Sequence, residues 1–460
     1  MLDIQLIRDR TEWVKEQVAR LSDTAPIDEI LELDERRRAI IQEVEELRRR
    51  RNEASKMIGR WMGELNRQKK SLETVTSGAK NVENAGELQM EVRALEARVE
   101  EAKDDTRRIG DQISALDEEL REVMDRLEEH MLWVPNMPHE SVPVGPDDSH
   151  NIAREPRGAP VPQFDFEPKP HWDLGPELGL IDFERGVKLS GSRFYLLRGW
   201  GSRLQRALIQ FMLDYHVTRH GYLEIYPPFM VREACFVGAA QLPKFAENIY
   251  YDAEDDFMWL GTAEIALTNV HRDEILANDQ LPLKYVAYTP CFRREKMSAG
   301  RDVRGIKRGH QFDKVEIYRF TRPEESYEAL EEMVQEATNI ARELDLTYRL
   351  VEMVTGDLGF AAAKKYDLEV WAAGSNEWLE VSSISNCESF QARRANVRYR
   401  PDDGAKPRFV HTLNGSGLAL PRVMIAILEN NQREDGSIVV PQALRQYLGV
   451  EIIENALTAR

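Results

Sequence analysis

The chain has 460 residues, 42% hydrophobic and 31% charged, which is enough for two domains with a sizeable core and is not the composition of a disordered or fibrous protein. No run of about 18 apolar residues occurs, which excludes a helical membrane span, and Asp3, Asp9, Glu12 and Glu16 argue against a signal or transit peptide. The formal net charge of -18, with Arg outnumbering Lys almost three to one, argues against nonspecific nucleic-acid binding, while leaving room for a local basic patch, and fits either a salt-loving source or an ordinary acidic cytosolic protein, of which the first is expected.

In chain order, Leu2, Leu6, Val14 and Val18 predict a short helix within Met1–Ser22 that packs on something else. Two long helical patterns follow. The first places Ile30, Leu33, Arg37, Ile40, Val44, Leu47, Arg51, Ala54 and Ile58 on alternating steps of three and four. The second runs without a break from Leu88 and Val92 to Val123 and Leu127. Both are heptad seams. A polar stretch near Ser71–Gly86 separates them, so the pair predicts an antiparallel coiled-coil arm roughly 60–70 Å long at 1.5 Å per residue. Such an arm serves either dimerisation or scaffolding, or RNA. Arg36–Arg38, Arg48–Arg51, Arg60, Arg67, Lys69 and Lys70 concentrate positive charge on the first helix, which suits an RNA backbone. Acidic neighbours such as Glu45, Glu46 and Glu53 also predict ordinary helix-surface pairing.

Trp133–Gly175 is dense in proline, which rules out a regular helix and marks a linker. Beyond it, Leu204, Leu208, Phe211, Met212 and Tyr215 form one face of a helix over Gly199–His220. Gly221 stops it, and Tyr222–Tyr226 reads as a strand ending at Pro227–Pro228. In WLGTAEIALTN, Thr262 is placed to cap a helix with Glu264 in its first turn.

The run TPCFRREKMSAGRDVRGIKRGHQFDKVE, Thr289–Glu316, reads as strand, basic loop, strand. Side chains two apart share a face, so Arg293 pairs with Glu295, and Phe312 with Lys314 and Glu316. That set is either a solvated surface hairpin or a nucleotide platform, with Arg on phosphate, a carboxylate on an exocyclic amine and a ring under a base. The loop between adds Arg301, Arg304, Lys307 and Arg308 among glycines. Pro323–Arg342 reads as a helix. Tyr366–Trp371 and Trp378–Ser383 read as strands, and EVSSISNC sets Glu380 near Ser383, either solvated on an edge strand or as hard oxygen ligands for Mg2+. In HTLNGSGLALPRVMIAILEN, glycines are expected to make a turn between a strand and a helix, with Arg422 one turn in.

FRRE, GRDVRG and HQFDKVE together resemble motif 2 of the class II aminoacyl-tRNA synthetases, in the form that seryl-tRNA synthetases carry. The helix, strand and Pro228 are similar to motif 1, which implies a homodimer, and His411–Asn430 is similar to motif 3, with Pro421 where relatives often have Gly. The likeness spans nearly the whole chain. It implies an α+β fold, an antiparallel sheet flanked by helices and preceded by the coiled-coil arm. Three segments follow: residues 1–132 as a tRNA-binding domain with the arm, 133–175 as linker, and 176–460 as catalytic domain. The implied substrates are L-serine, ATP and tRNA(Ser), with Mg2+; tRNA(Sec) is a further acceptor to consider. The implied serine site is Thr262, Ala263, Glu264, Arg293, Glu316 and Ser416. The implied ATP site is Arg293, Arg294, Glu295, Gly309, Phe312, Glu380, Val381, Ser382, Ser383 and Arg422, with Mg2+ on Glu380 and Ser383. Arg293 and Arg422 carry catalysis: Arg293 holds the α-phosphate and the serine carboxylate, while Arg422 takes the γ end and sandwiches adenine with Phe312.

Three rival readings are disfavoured. A relative that charges a protein carrier would lack the arm, and a dead-enzyme scaffold would not keep Arg293, Glu295, Glu316, Glu380 and Arg422. The zinc-dependent type of seryl enzyme needs clustered Cys and His ligands. Cys235, Cys291 and Cys387 lie far apart without CxxC spacing, which predicts a reducing, cytoplasmic location.

Overall fold

The computed structural model describes residues 1–77, 83–296, 303–402 and 404–454, with side chains except those of Glu83 and Asn84. The chain divides into two compact units: Pro26–Met131, and Met1–Ala25 together with Leu132–Arg460.

The smaller unit is the pair of heptad patterns turned into helices. Helix α3 spans Ile27–Ser77 and α4 spans Glu83–Met131, so each is about 75 Å long at 1.5 Å per residue. Their seams are dry: Ile30, Ile40, Val44 and Leu47 are buried on α3, and Val92, Val99, Ile113 and Val123 on α4. Cross-helix ion pairs fix an antiparallel direction, with Arg36 on Glu119 at 2.6 Å, Arg48 on Asp117 at 3.1 Å and Lys69 on Glu96 at 2.5 Å. Arg37, a seam position, is accommodated because its guanidinium reaches the buried Asp34 carboxylate at 2.5 Å, which also takes Arg38 at 3.0 Å. Part of the basic run is therefore committed within the helix pair, while Arg50, Arg60 and Lys70 are exposed.

In the larger unit, α1 (Ile4–Asp9) and α2 (Thr11–Arg20) replace the single short helix expected at the start; Asp3 caps α1 by accepting from Gln5 N–H. These residues group with the larger unit, so the first compact boundary falls at Ala25 and not with the arm. The Pro-rich stretch is no loose tether. Its strands β1 (Ile152–Ala153) and β2 (Arg157–Gly158) extend the main sheet, and Asn136 donates to the carbonyls of Ala361 and Cys387. A regular helix, α5 (His171–Glu177), starts inside it, with Pro170 outside at the N-cap and Pro176 one residue from the C-terminal end.

Among the described residues the main sheet has nine strands. The others are β3 (Leu223–Glu224), β4 (Leu283–Phe292), β5 (Gln311–Thr321), β6 (Thr347–Glu352), β7 (Lys364–Ala372), β8 (Glu377–Asn386) and β9 (His411–Ala419). The order is β1-β6-β7-β8-β9-β5-β4-β3, antiparallel except where β3 joins β4, with β2 also on β6. Helices α6 (Trp200–His220), α8 (Ser326–Glu343) and α10 (Leu420–Asn430) cover one face. There Leu208, Met212, Val315, Ile317, Leu330, Met333, Ile384, Leu413 and Met424 form a fully buried core. Alternation along each strand then sends the intervening polar residues to the opposite face. Gly221 ends α6 as expected, in the left-handed region at φ 70°.

Candidate active site

The polar face of β5, β8 and β9 floors a cavity of about 390 Å³, a size suited to a small-molecule ligand. On β5, Phe312, Lys314 and Glu316 all line it, as their spacing predicts. Strand β4 stops at Phe292, paired with Gln311, one residue before the FRRE arginines. Arg293 and Glu295 nevertheless reach the cavity. Arg293 N–H still donates to the His310 carbonyl, and the chain then turns through a left-handed Glu295 at φ 52°. Arg293 is held on two sides. Its Nε donates to the Gly261 carbonyl at 3.0 Å, and its guanidinium lies 5.3 Å from the centre of the Phe312 ring. Gly309 also lines the cavity; a Cβ there would meet the Gln311 carbonyl at 2.9 Å, so backbone alone fits.

Two β-bulges aim the remaining groups. The register of β7 on β8 runs Leu368 to Ser382 and then Glu369 to Glu380, leaving Val381 as the extra residue. Strict alternation would put Glu380 and Ser383 on opposite faces; the bulge brings both to the cavity. The register of β5 on β9 likewise skips Gly417, so Ser416 and Ala419 both face inward. The glycines expected to form a turn therefore sit within the strand. A Cβ on Gly417 would stand 2.8 Å from buried His216 Nε2, and the next residue, Leu418, holds φ 130°. Pro421 lies in the first turn of α10, and Arg422 follows it into the cavity. Its Nη1 donates to the Glu380 carbonyl at 2.5 Å and lies 3.3 Å from the Glu380 carboxylate. Burial opposes ionisation of Glu380, but Arg422 and Lys365 outweigh it and hold the carboxyl below its ordinary value. On the neighbouring strand Asp367 sits opposite Ser383, with a buried Oδ1 that has no hydrogen-bond partner among the described residues. Two carboxylates and a hydroxyl in one place are a fitting oxygen set for Mg2+.

At the far end of the floor stands α7 (Glu264–Thr268). Thr262 accepts from Glu264 N–H at 3.3 Å and donates to Glu316 at 3.0 Å, although the N-cap position itself falls on Ala263. Glu316 is also ion-paired with Lys314. Glu264 Oε1 accepts from Gln391 at 2.6 Å and Asn414 at 3.1 Å. Burial, and then the nearby Glu316 charge, push the Glu264 carboxyl up to about 7.

Not every expected residue reaches the cavity. Thr262 and Ala263 are buried behind its wall, and Ser382 turns away to donate to the Ser416 carbonyl at 2.6 Å. Arg294 is directed outward, donating to the Ile249 carbonyl at 2.8 Å beside the Tyr250 ring. It is the residue on the opposite side of the chain from Arg293 and Glu295, as a period of two requires. Arg301 lies outside the described residues. Lys307 and Arg308 line the cavity, with Lys307 ion-paired to Glu377. Sequence reasoning missed Asn414, which lines the cavity, and Gln391 behind it. Both fall at polar positions flanked by apolar residues, a signal too common to single them out. It also missed His171, whose Nδ1 lies 2.7 Å from Glu429 while Nε2 accepts from Ile306 N–H at 3.1 Å, anchoring the loop's return to the platform.

Comparison with known proteins gives one consistent result. Residues 1–102 match the family described as the seryl-tRNA synthetase N-terminal domain, and residues 247–431 match the tRNA synthetase class II core domain (G, H, P, S and T). A serine–tRNA ligase of Roseiflexus sp. (strain RS-1) is 54% identical over 98% of this chain and 99% of its own length. One from Dehalococcoides mccartyi is 52% identical over 98% of this chain and 100% of its own. Among solved structures, the seryl-tRNA synthetase of Pyrococcus horikoshii complexed with ATP is 37% identical with a TM-score of 0.86, covering 99% of this chain and all of that one. The cytoplasmic serine–tRNA ligase of Naegleria fowleri in complex with AMP is 30% identical with a TM-score of 0.83, covering 99% of each chain.

Proposed function

The chain belongs to the seryl-tRNA synthetase family, and from that premise we propose how its own residues divide the work of a serine–tRNA ligase. The reaction activates L-serine with ATP and passes the seryl group to the 3′ end of tRNA(Ser). In the first step a serine carboxylate oxygen attacks the α-phosphorus, and pyrophosphate leaves with the displaced charge. Both reactants are anions, so the site must supply cations and alignment rather than a base. Arg293, held between Gly261 and Phe312, spans the serine carboxylate and the α-phosphate. Phe312 and Arg422 enclose adenine, Glu295 accepts from its amine, Gly309 offers backbone, and Arg422 meets the γ end. Glu380 and Ser383 would hold Mg2+, which when bound neutralises phosphate charge. In the second step the tRNA terminal hydroxyl attacks the seryl carbonyl and AMP leaves.

Glu264, Glu316 and Ser416 receive the ammonium and hydroxyl of serine, while Thr262 stands behind the wall and holds Glu316 by its hydroxyl. A pocket built around a hydroxyl leaves buried groups unpaired when alanine enters, which penalises alanine steeply; threonine is excluded by size. The exposed Arg residues of α3 carry the tRNA contact, and tRNA(Sec) is an acceptor to test beside tRNA(Ser). A homodimer is supported by Leu223, Tyr226 and Met230, apolar yet 61%, 79% and 47% exposed at and beyond the β3 sheet edge. The cytoplasm and a high-salt host complete the proposal, the latter from the acidic composition.

The observation that carries the assignment of roles is the convergence on one cavity of Glu264, Arg293, Phe312, Glu316, Glu380 and Arg422 from separate stretches of chain. Amino-acid-dependent ATP–pyrophosphate exchange across the twenty amino acids tests it, with serine alone expected to support exchange. Arg293→Ala is expected to lower kcat about a hundred- to a thousandfold, the scale of losing a preorganised transition-state group. Exchange by Arg293→Ala within tenfold of the unaltered enzyme removes Arg293 from its role.

A further inference from the structure

Gln391 lies on the short helix α9 (Phe390–Arg394), is fully buried, and does not line the cavity. Its amide has four neighbours, which together dictate its orientation. Oε1 accepts from the Tyr318 hydroxyl at 3.1 Å and the Thr412 hydroxyl at 2.8 Å. Nε2 donates to Glu264 Oε1 at 2.6 Å and to the Ala239 carbonyl at 3.3 Å. Flipped, the amide oxygen would face a carboxylate and a carbonyl with no hydrogen between them, so one orientation is satisfied and the other is not. The Tyr318 hydroxyl in turn accepts from Thr268 at 2.9 Å, and Thr268 closes α7, the helix that Glu264 opens. The contacts form a closed circuit: Glu264, Gln391, Tyr318, Thr268 and back along α7.

The circuit has two consequences for the pocket. Gln391 and Asn414 both donate to Oε1 of Glu264, which saturates that oxygen and leaves Oε2 for a ligand. The Ala239 carbonyl belongs to a second wall, since Ala240 and Gln241 line the cavity beside it. One buried amide therefore ties two walls of the pocket together. We propose that Gln391 is a positioning residue for the amino-acid pocket, fixing the Glu264 carboxylate against the 239–241 wall and so setting the affinity and selectivity for serine without touching it. This rests on the reading of Glu264 as a serine contact. The charged and titratable groups facing Glu264 are Glu316, which opposes its ionisation, and Lys314 and Arg293, which favour it, along with the thiol of Cys387. The Gln391 amide adds to the favouring side.

The test uses full-length enzyme in ATP–pyrophosphate exchange with four proteins: unaltered, Gln391→Met, Tyr318→Phe and Glu264→Ala. Gln391→Met keeps length and volume and removes the donors. Its KM for serine is expected to rise about 10- to 100-fold, with KM for ATP within about twofold, from loss of a charge-assisted hydrogen bond. The acid limb of its kcat/KM profile for serine is expected to move up by about one pH unit, because the charged form loses a donor. Tyr318→Phe removes one hydroxyl from Oε1 and is expected to shift both readouts the same way by less, which keeps the proposal testable should Gln391→Met not fold. Equal rises in both KM values, or a lower melting temperature with the limb unmoved, overturn the proposal and leave Gln391 a packing residue. If Glu264→Ala raises the serine KM while Gln391→Met does not, this inference alone fails. If Glu264→Ala leaves the serine KM unchanged, the pocket reading fails and takes the inference with it.

Discussion

Glu264 should make serine recognition pH-dependent just below neutrality. Burial first, and the Glu316 charge second, raise its carboxyl to about 7. The serine ammonium pairs with the ionised form only. With a pKa near 7, the ionised fraction is about 0.9 at pH 8, about 0.5 at pH 7 and about 0.03 at pH 5.5. The kcat/KM for serine should fall in proportion, roughly thirtyfold from pH 8 to pH 5.5, while kcat at saturating serine changes less. Linkage gives an independent readout. A carboxyl whose folded pKa is raised stabilises the free protein most below its unfolded value near 4.5, and that stability is lost as pH climbs through 7. The loss is a few kcal/mol, at 1.36 kcal/mol per unit. Saturating serine supplies the missing cation, so its thermal stabilisation should be larger at pH 8 than at pH 6. The assay is pyrophosphate exchange from pH 5.5 to 8.5 with serine and ATP varied separately, beside Glu264→Gln. A profile flat to pH 5.5, or an unchanged acid limb in Glu264→Gln, refutes the reasoning.

Three further outcomes follow from the geometry. Gly417→Ala forces a Cβ to within 2.8 Å of His216 Nε2; overpacking at the bulge should cost about 1–3 kcal/mol, lowering the melting temperature and raising the serine KM as Ser416 shifts. Deleting Asp34–Arg126 should leave serine-dependent exchange within about twofold, the usual scatter for a distant change, while abolishing tRNA charging; charging that survives the deletion removes the arm from tRNA binding. A KCl titration of exchange should show an optimum near molar salt, since the net charge of -18 needs screening, and an optimum well below that rules out the salt-loving host.

Much of this protein is legible without coordinates because its signals are local. Heptad steps need only neighbouring turns to declare a coiled coil, and α3 and α4 cover Ile30–Ile58 and Leu88–Leu127, though they run on into the expected turn, to Ser77 and from Glu83. The stop at Gly221 and the shared face of Phe312, Lys314 and Glu316 likewise follow from backbone geometry. What tertiary structure decided is whatever depends on register between distant strands. The extra residues at Val381 and Gly417 are invisible to a period-two reading, yet they bring Glu380 beside Ser383 and turn Ser416 inward. The segment 1–25 carries a helical pattern whichever unit it joins, and only packing assigned it to the larger one. Gln391 and Asn414 gain meaning solely from the Glu264 carboxylate, far away in sequence and at hydrogen-bonding distance in space. Periodicity fixes which side of an element a residue occupies; the neighbour it meets there is set by chain returning from hundreds of residues away.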